Sequence, residues 1–355
     1  MVDVLLTHSN HLYSDRKQVR KMEPYPPLQT LLAAACLRRE GYQVALFDPA
    51  LERPETGFEQ ALARHRPASC APAAAARAGG PPVVPAGEKV MLATTRQRFL
   101  DDYIKIRHAE GRGSQDSAYY LALPYRDITG RLQDQWTIRA KSYRYLERHV
   151  LPPSEKQSGR PLRIADLGAG NCWLSYRLAL RGHQPIAIDI LGDPLDGLAA
   201  GRHYQAHTAF PRVNAEFDDL PLAAGSLDVA SYNASIHYST GYRRTLTEIR
   251  RCLRPGGCFL IVDSPIYQRR EHGELMRRER HQQFQATYGF ASDTLESIEY
   301  FDTEMLAELG RDLGIVWKVY RPWYGWQWAL RPYQARWRGK RPPANFWILA
   351  GRFTT

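Results

Sequence analysis

The stretch from Arg163 to Asn171, with Asp166-Leu167-Gly168-Ala169-Gly170 at its centre, constrains the fold of this chain more than any other segment. An apolar strand that runs into Gly-x-Gly and then a helix needs a tight turn without Cβ atoms at the carboxyl edge of a sheet. Such a turn lets a nucleotide-like ligand approach the backbone. A second apolar strand, Ala187-Ile188-Asp189-Ile190, follows at the usual spacing and closes on an acid that can accept two ribose hydroxyls. Dinucleotide-binding domains share both features, but they prefer Gly-x-Gly-x-x-Gly with a pyrophosphate at the helix N-terminus. Here Asp166 sits just before the turn and Trp173 occupies a position that pattern gives to small residues. A carboxylate there repels a pyrophosphate and suits a ligand with an amino group.

Three more segments follow in order. Glu216 to Pro221 is an acidic turn ending in Leu-Pro, and Gly225 to Ala230 opens another apolar strand. Leu246 to Cys252 reads as an amphipathic helix, Pro255-Gly256-Gly257 as a turn and Cys258 to Val262 as a buried strand. Together with the glycine turn these motifs resemble class I S-adenosylmethionine (SAM) dependent methyltransferases, over residues 134–353. The resemblance implies a Rossmann-like, doubly wound seven-stranded α/β sheet with one antiparallel strand, and SAM as cofactor. It assigns the cofactor turn to Gly168, Ala169, Gly170 and Asn171, the methionine end to Asp166, and the ribose to Asp189 with Ile190 beside it. Glu216 would read the adenine amino group while the Phe217 backbone meets the ring. Cys172 departs from the pattern, because many family members carry a third glycine there.

The chain has 355 residues, enough for one large core with additions. No apolar run approaches the ~20 residues of a membrane-spanning helix, and residues 1–20 lack a basic start followed by an apolar stretch. The five cysteines are scattered with no Cys-x-x-Cys pair, which points to reduced thiols, a cytoplasmic location and no metal centre.

Residues 1–66 read as a partial strand–helix–strand segment, with strands at Val2–Leu6 and Val44–Phe47 and a helix at Leu28–Glu40. Asp3 to Leu6, Tyr25-Pro26-Pro27-Leu28, Leu31 to Leu37 and Gly41 to Val44 with Asp48-Pro49 resemble the opening of the cobalamin-binding domain that precedes some radical-SAM cores. The segment stops short of a full sheet, and no cluster-binding cysteine triad follows. Residues 67–90 are rich in Ala, Pro and Gly and read as a linker. The expected methyltransferase domain is then 91–355, with an N-terminal lid at 91–151 and a substrate region at 264–347.

In the lid, Trp136, Arg139 and Tyr143 share one helical face. Arg139 is a candidate partner for the SAM carboxylate and Tyr143 a candidate cap on the sulfonium; the alternative is that the rings pack and Arg139 is a surface charge. After the fourth strand come Asn233 and then His237-Tyr238-Ser239. The loop leaving that strand passes the transferring methyl in this family, so Asn233 is expected in the pocket, His237 as a base and Tyr238 as an orienting group. The alternative for His237 is packing beside the cofactor.

Six of the eight tryptophans fall within 317–347, interleaved with arginines, and no acid follows Asp312. The net charge of +11 therefore leans to this end and implies an anionic partner. Methyl transfer to an O or N atom of an anionic small-molecule or lipid- or sugar-linked acceptor is the expected function. Nucleic acid ranks lower for want of a binding module, and peripheral contact with a membrane stays open. The competing classes are a non-catalytic Rossmann-like binding protein and the remnant of a cobalamin-binding enzyme.

Overall fold

The computed structural model describes residues 4–7, 44–47, 99–289 and 296–354. The chain forms two compact units, Met1–Val84 and Pro85–Thr355. In the first, β1 (Val4–Thr7) pairs in parallel with β2 (Val44–Phe47), Val4 opposite Val44 and Thr7 opposite Phe47. The helix expected at Leu28–Glu40 and the linker at 67–90 lie outside the described residues.

In the second unit, helical residues 99–109 form α1. Next come α2 (Ser117–Ala122) and α3 (Gln133–Tyr145), which runs on through a π turn at Leu146–Val150, and then α4 (Pro152–Ser158). The core follows as β3 (Arg163–Leu167), α5 (Trp173–Leu180), β4 (Gln184–Asp189), β5 (Arg212–Asn214), β6 (Leu227–Asn233), α6 (Tyr242–Cys252) and β7 (Leu253–Val262). After it come the short β8 (Ile266–Tyr267), α7 (Arg270–Tyr288), β9 (Phe301–Asp302), α8 (Thr303–Leu313), β10 (Ile315–Tyr320), α9 (Trp326–Trp337) and β11 (Ile348–Phe353).

Seven strands make one sheet in the order β10-β11-β7-β6-β3-β4-β5. Strand β11 is antiparallel to both neighbours while the other pairings are parallel, so the expected single reversed strand is present. This is a doubly wound, Rossmann-like arrangement. The central strands lie buried between two helical layers while the edge strands β5 and β10 are partly open, and side chains alternate between the faces as a period of two requires. Ile164, Val229, Leu260 and Val262 join the core that holds Trp136, Trp173 and Tyr204. Ala165, Leu167, Ala230, Tyr232, Phe259 and Ile261 face the other core, with Leu246, Ile249 and Phe301. Helix α6 buries Tyr242, Thr245, Leu246, Ile249 and Cys252, the spacing of one helical stripe.

Pro255-Gly256-Gly257 leaves the ladder as predicted. The β6–β7 register jumps from Leu227 opposite Leu253 to Val229 opposite Cys258, and Gly256 takes φ +75°. The chain winds outward through β3, β4 and β5, then returns to place β6 on the other side of β3. That reversal opens a crevice at the carboxyl ends of β3 and β6, where ligands of such sheets bind.

Candidate active site

A cavity of ≈ 310 Å³ occupies this crevice. Its size lies near the lower end of ligand sites, roughly 300–1,000 Å³. The glycine turn forms its floor. Gly168 and Ala169 donate backbone N–H bonds to the Ile188 carbonyl at 2.8 and 3.1 Å, so the turn is pinned to the end of β4. Asp189 completes the clamp, its two oxygens accepting from Gly170 N at 2.7 Å and Leu191 N at 2.8 Å. Each carboxylate oxygen keeps a lone pair for a further donor. Burial holds this carboxyl above its ordinary range even though those backbone bonds favour the anion.

Gly168 has φ +70°, and a Cβ there would lie 2.3 Å from the Ser235 Cβ. The loop after β6 thus rests directly on the turn, and Ser235 Oγ donates to the Leu167 carbonyl at 2.5 Å. Cys172, at the third glycine position, adopts φ +65° and is fully buried. The chain therefore keeps the left-handed backbone and tolerates a small side chain there, at a cost of about 1–2 kcal/mol. Burial raises this thiol well above its usual pKa, so it is a packing group and not a nucleophile.

Asp166 accepts from both the backbone N–H of Ser175 (3.1 Å) and its hydroxyl (2.7 Å). It thereby occupies the amino end of α5, the place a pyrophosphate would need. Burial pushes its pKa up to about 7 against the opposing effect of those bonds. Asn171 bridges the turn to the next loop, with Nδ2 donating to Asp196 at 3.3 Å and Oδ1 accepting from Trp173 N at 3.3 Å. Glu216, Phe217 and Ile190 line the same cavity. Phe217 packs edge-on against Tyr232 with centroids 5.4 Å apart. Glu216 lies two residues beyond the end of β5, in a tight bridge with Asp219, so the acid falls on the loop and not at the strand terminus.

The lid helix divides its three candidates. Arg139 lines the cavity and stacks 4.9 Å over Trp136, and no ion pair neutralises it among the described residues. Burial, and then the neighbouring Arg112 and Arg107, lowers its pKa against the opposing pull of the Asp263 and Asp196 carboxylates. Tyr143 does not reach the cavity. Its ring is buried edge-on against Trp173 at 5.7 Å and Tyr125 at 6.2 Å, because α3 packs on α5 there.

After β6, Asn233 and Tyr238 line the cavity, but His237 does not. The imidazole is buried behind them, 3.4 Å from Ser264 Oγ. Burial, followed by the charges of Arg280, Arg107 and Arg139, pushes its pKa down to about 3. A ring held neutral and standing outside the cavity takes the packing place that was the alternative reading of His237. Tyr238 is the opposite case. Burial alone would raise its phenol, but Arg107 and Arg280 outweigh that and hold it below its usual range. Arg107 Nη2 donates to the Tyr238 hydroxyl at 3.3 Å and also bonds the Tyr103 hydroxyl. Tyr103 and Phe99 of α1 complete an aromatic wall, Tyr103 edge-on to Tyr238 at 5.7 Å.

Sequence reasoning missed Arg107, Arg112 and Asp196 on the cavity wall, and Asp263 behind it. Asp196 lies 3.7 Å from Arg107 and lines the cavity. Asp263 ends β7 at φ +51°, buried, with one oxygen accepting from Ser142 and Oδ2 without a hydrogen-bond partner among the described residues. Asn233 Oδ1, at the end of the adjacent strand, is likewise unpartnered. An acid closing an apolar strand was the signal for Asp189 and would have found Asp263 as well.

Residues 165–261 match the methyltransferase domain family. A methyltransferase of Mycobacterium tuberculosis is 32% identical over 124 residues, 33% of this chain and 47% of that protein. A malonyl-[acyl-carrier protein] O-methyltransferase of Erwinia pyrifoliae is 30% identical over 103 residues, 29% of this chain and 37% of that protein. The chain thus spans about half or less of the length of the curated relatives it matches. Among solved structures, a 1,6-didemethyltoxoflavin-N1-methyltransferase of Burkholderia thailandensis aligns over 79% of this chain and 95% of its own at 16% identity and a TM-score of 0.41. The described residues contain no cluster of metal-ligating side chains and no helix long and apolar enough to cross a membrane.

Proposed function

We propose that the chain transfers the methyl group of SAM to an oxygen or nitrogen atom of an anionic small-molecule or lipid- or sugar-linked acceptor. The observation that carries this reading is the junction of two unlike halves in one cavity. One end presents acids and a bare backbone turn, the other arginines and phenols.

The residues present fit SAM. Asp189 offers lone pairs to the ribose, Glu216 and Phe217 border the adenine end, and Asp166 offers a carboxylate to the ammonium. Arg139 is an unneutralised cation for the carboxylate. SAM supplies a methyl already activated by positive sulfur, so the protein's task is to position, to exclude water and to take a proton. Arg107, Arg112 and Arg139 give the acceptor end a positive field, and Tyr238, its phenol lowered by Arg107, is the group suited to receive the acceptor's proton. Asn233, on the cavity wall, offers Oδ1 as an acceptor. The O-methyltransferase among the relatives is in keeping with an oxygen acceptor.

Tyr238→Phe should lower kcat by about 10²-fold, the usual worth of a general base, with SAM affinity unchanged. The rise of kcat with pH toward the phenol's lowered pKa should disappear with it. His237→Gln should stay within a few-fold of the parent. The reverse ranking of the two variants would move the base to His237.

A second expectation follows from Asp166. With its pKa near 7 in the free protein, a neighbouring ammonium would stabilise the anion and lower that value. SAM binding should then release protons at and below pH 7, and affinity should be flat above pH 7 and fall as pH drops beneath it. Calorimetry in two buffers of different ionisation enthalpy reads the released proton directly. A pH-independent affinity, or one that survives unchanged in Asp166→Asn, would remove Asp166 from the site.

A further inference from the structure

Helix α9 has two faces of unlike character. Its inner face is anchored: Trp328 packs between Tyr324 and Phe346 with centroids 5.0 and 5.3 Å away. Arg331 lies over the Trp328 ring and donates to the Ala344 carbonyl at 2.9 Å. The outer face carries Trp326, Leu330, Tyr333 and Trp337, spaced i, i+4, i+7 and i+11 on a single stripe roughly 16 Å long. These side chains are open to solvent, Trp326 at 76%, Tyr333 at 73% and Trp337 at 87% exposure. Trp323, edge-on to Trp326 at 5.1 Å, extends the stripe into the preceding loop. An apolar stripe of this size on a helix held to the chain only by its opposite face marks a docking surface.

We propose that α9 and the loop before it seat this protein on an anionic lipid surface. Every charged side chain from residue 313 onward is Lys or Arg, and Arg336, Arg338 and Lys340 stand exposed at the end of the stripe. Tryptophan stripes beside basic residues fit the boundary between headgroups and acyl chains. A second copy of the chain would bury the rings but leave these cations without the anionic partner that a lipid headgroup layer supplies. A nucleic acid would call for cations interleaved with the rings, whereas here a continuous apolar row has its charges at one end.

The surface also lies at the edge of the sheet that carries the cavity. Strand β10 is parallel to β3 and β6, so its end at Tyr320 shares their carboxyl edge. Tyr324, in the loop leading to α9, meets Ser142 Oγ at 2.9 Å, and Ser142 bonds Asp263 at the end of β7. Docking is independent of the methyl-transfer reading; that the acceptor is drawn from the membrane rests on it.

The test is co-sedimentation of the full chain with vesicles of phosphatidylcholine alone or mixed with phosphatidylglycerol. Sedimentation with the anionic vesicles only, weakened by salt and accompanied by a blue shift of tryptophan emission, is expected. Arg336→Glu with Arg338→Glu should lower the partition about tenfold or more. Trp326→Ser with Trp337→Ser should abolish the shift, and these exposed changes should leave thermal unfolding and SAM affinity as they were. Absence of vesicle binding, equal binding to neutral vesicles, or binding indifferent to both variants overturns the proposal. So does a dimer that Trp337→Ser splits, or submicromolar oligonucleotide binding that the same variants remove. Loss of SAM binding by the parent chain beside intact vesicle binding would count against methyl transfer alone.

Discussion

Gly168→Ala is expected to cost about 3 kcal/mol or more in stability and to abolish SAM binding, while Gly182→Ala costs about 1 kcal/mol. Both glycines have positive φ, so both substitutions incur the left-handed penalty of about 1–2 kcal/mol. They differ in what surrounds them. A Cβ on Gly168 would lie 2.3 Å from the Ser235 Cβ and 3.3 Å from the Phe217 ring, whereas nothing lies within 4 Å of one on Gly182. Relieving the Gly168 clash means lifting the β6 loop off the turn. That breaks the Ser235–Leu167 hydrogen bond and moves Asn233 and Tyr238 with the loop, adding about 1–3 kcal/mol of overpacking strain. Urea unfolding of both variants, with SAM titration of each, separates the two contributions. Equal losses at the two positions would mean that the close approach of turn and loop is not what makes Gly168 necessary.

What was legible in the sequence follows from how local each signal is. The strand ends at Asp166 and Asp189, the glycine turn, the Pro-Gly-Gly turn and the amphipathic α6 are written within a few residues each. The seven-stranded sheet with one reversed strand then follows from the resemblance those motifs carry, because connection rules alone leave a handful of topologies. The C-terminal end of α8 was equally plain, with Gly314 in the left-handed conformation after Leu313. Asp302 caps the other end of that helix, its side chain accepting from Met305 N.

The acceptor end was less legible because it is assembled from distant pieces. Arg107 reaches Tyr238 across 131 residues and Asp196 across 89, and no local pattern announces such a meeting. Two candidates stand off the cavity for a related reason. Tyr143 and Arg139 share a helical face, but α5 presses its Trp173 against that face, so the ring is absorbed by packing and only the longer arginine reaches the cavity. His237 and Tyr238 are adjacent, yet the 3-10 turn at Ile236–Tyr238 sends one ring inward and the other to the cavity wall. A histidine in sequence advertises a pKa near neutrality; three arginines and burial remove it, and those are visible only in three dimensions.

Asp189→Ala is expected to weaken SAM by about 3 kcal/mol, roughly 10²-fold in Kd, with no measurable NADH binding by parent or variant. Two losses combine. The direct one is the acceptor for the ribose hydroxyls, and hydrogen bonds to a charged partner contribute about 1.5–3 kcal/mol. The indirect one is the clamp, because Gly170 N and Leu191 N lose their partner and the turn loosens from β4. Asp189→Asn should separate them: its single carbonyl oxygen can serve one backbone N–H, so part of the clamp and part of the affinity should remain. NADH is excluded by a different residue, since Asp166 already fills the amino end of α5 and would face the pyrophosphate. Isothermal calorimetry on the three proteins with both ligands decides it. Unchanged SAM affinity in Asp189→Ala would detach the cofactor from β4, and tight NADH binding by the parent chain would turn the site into that of a dinucleotide enzyme.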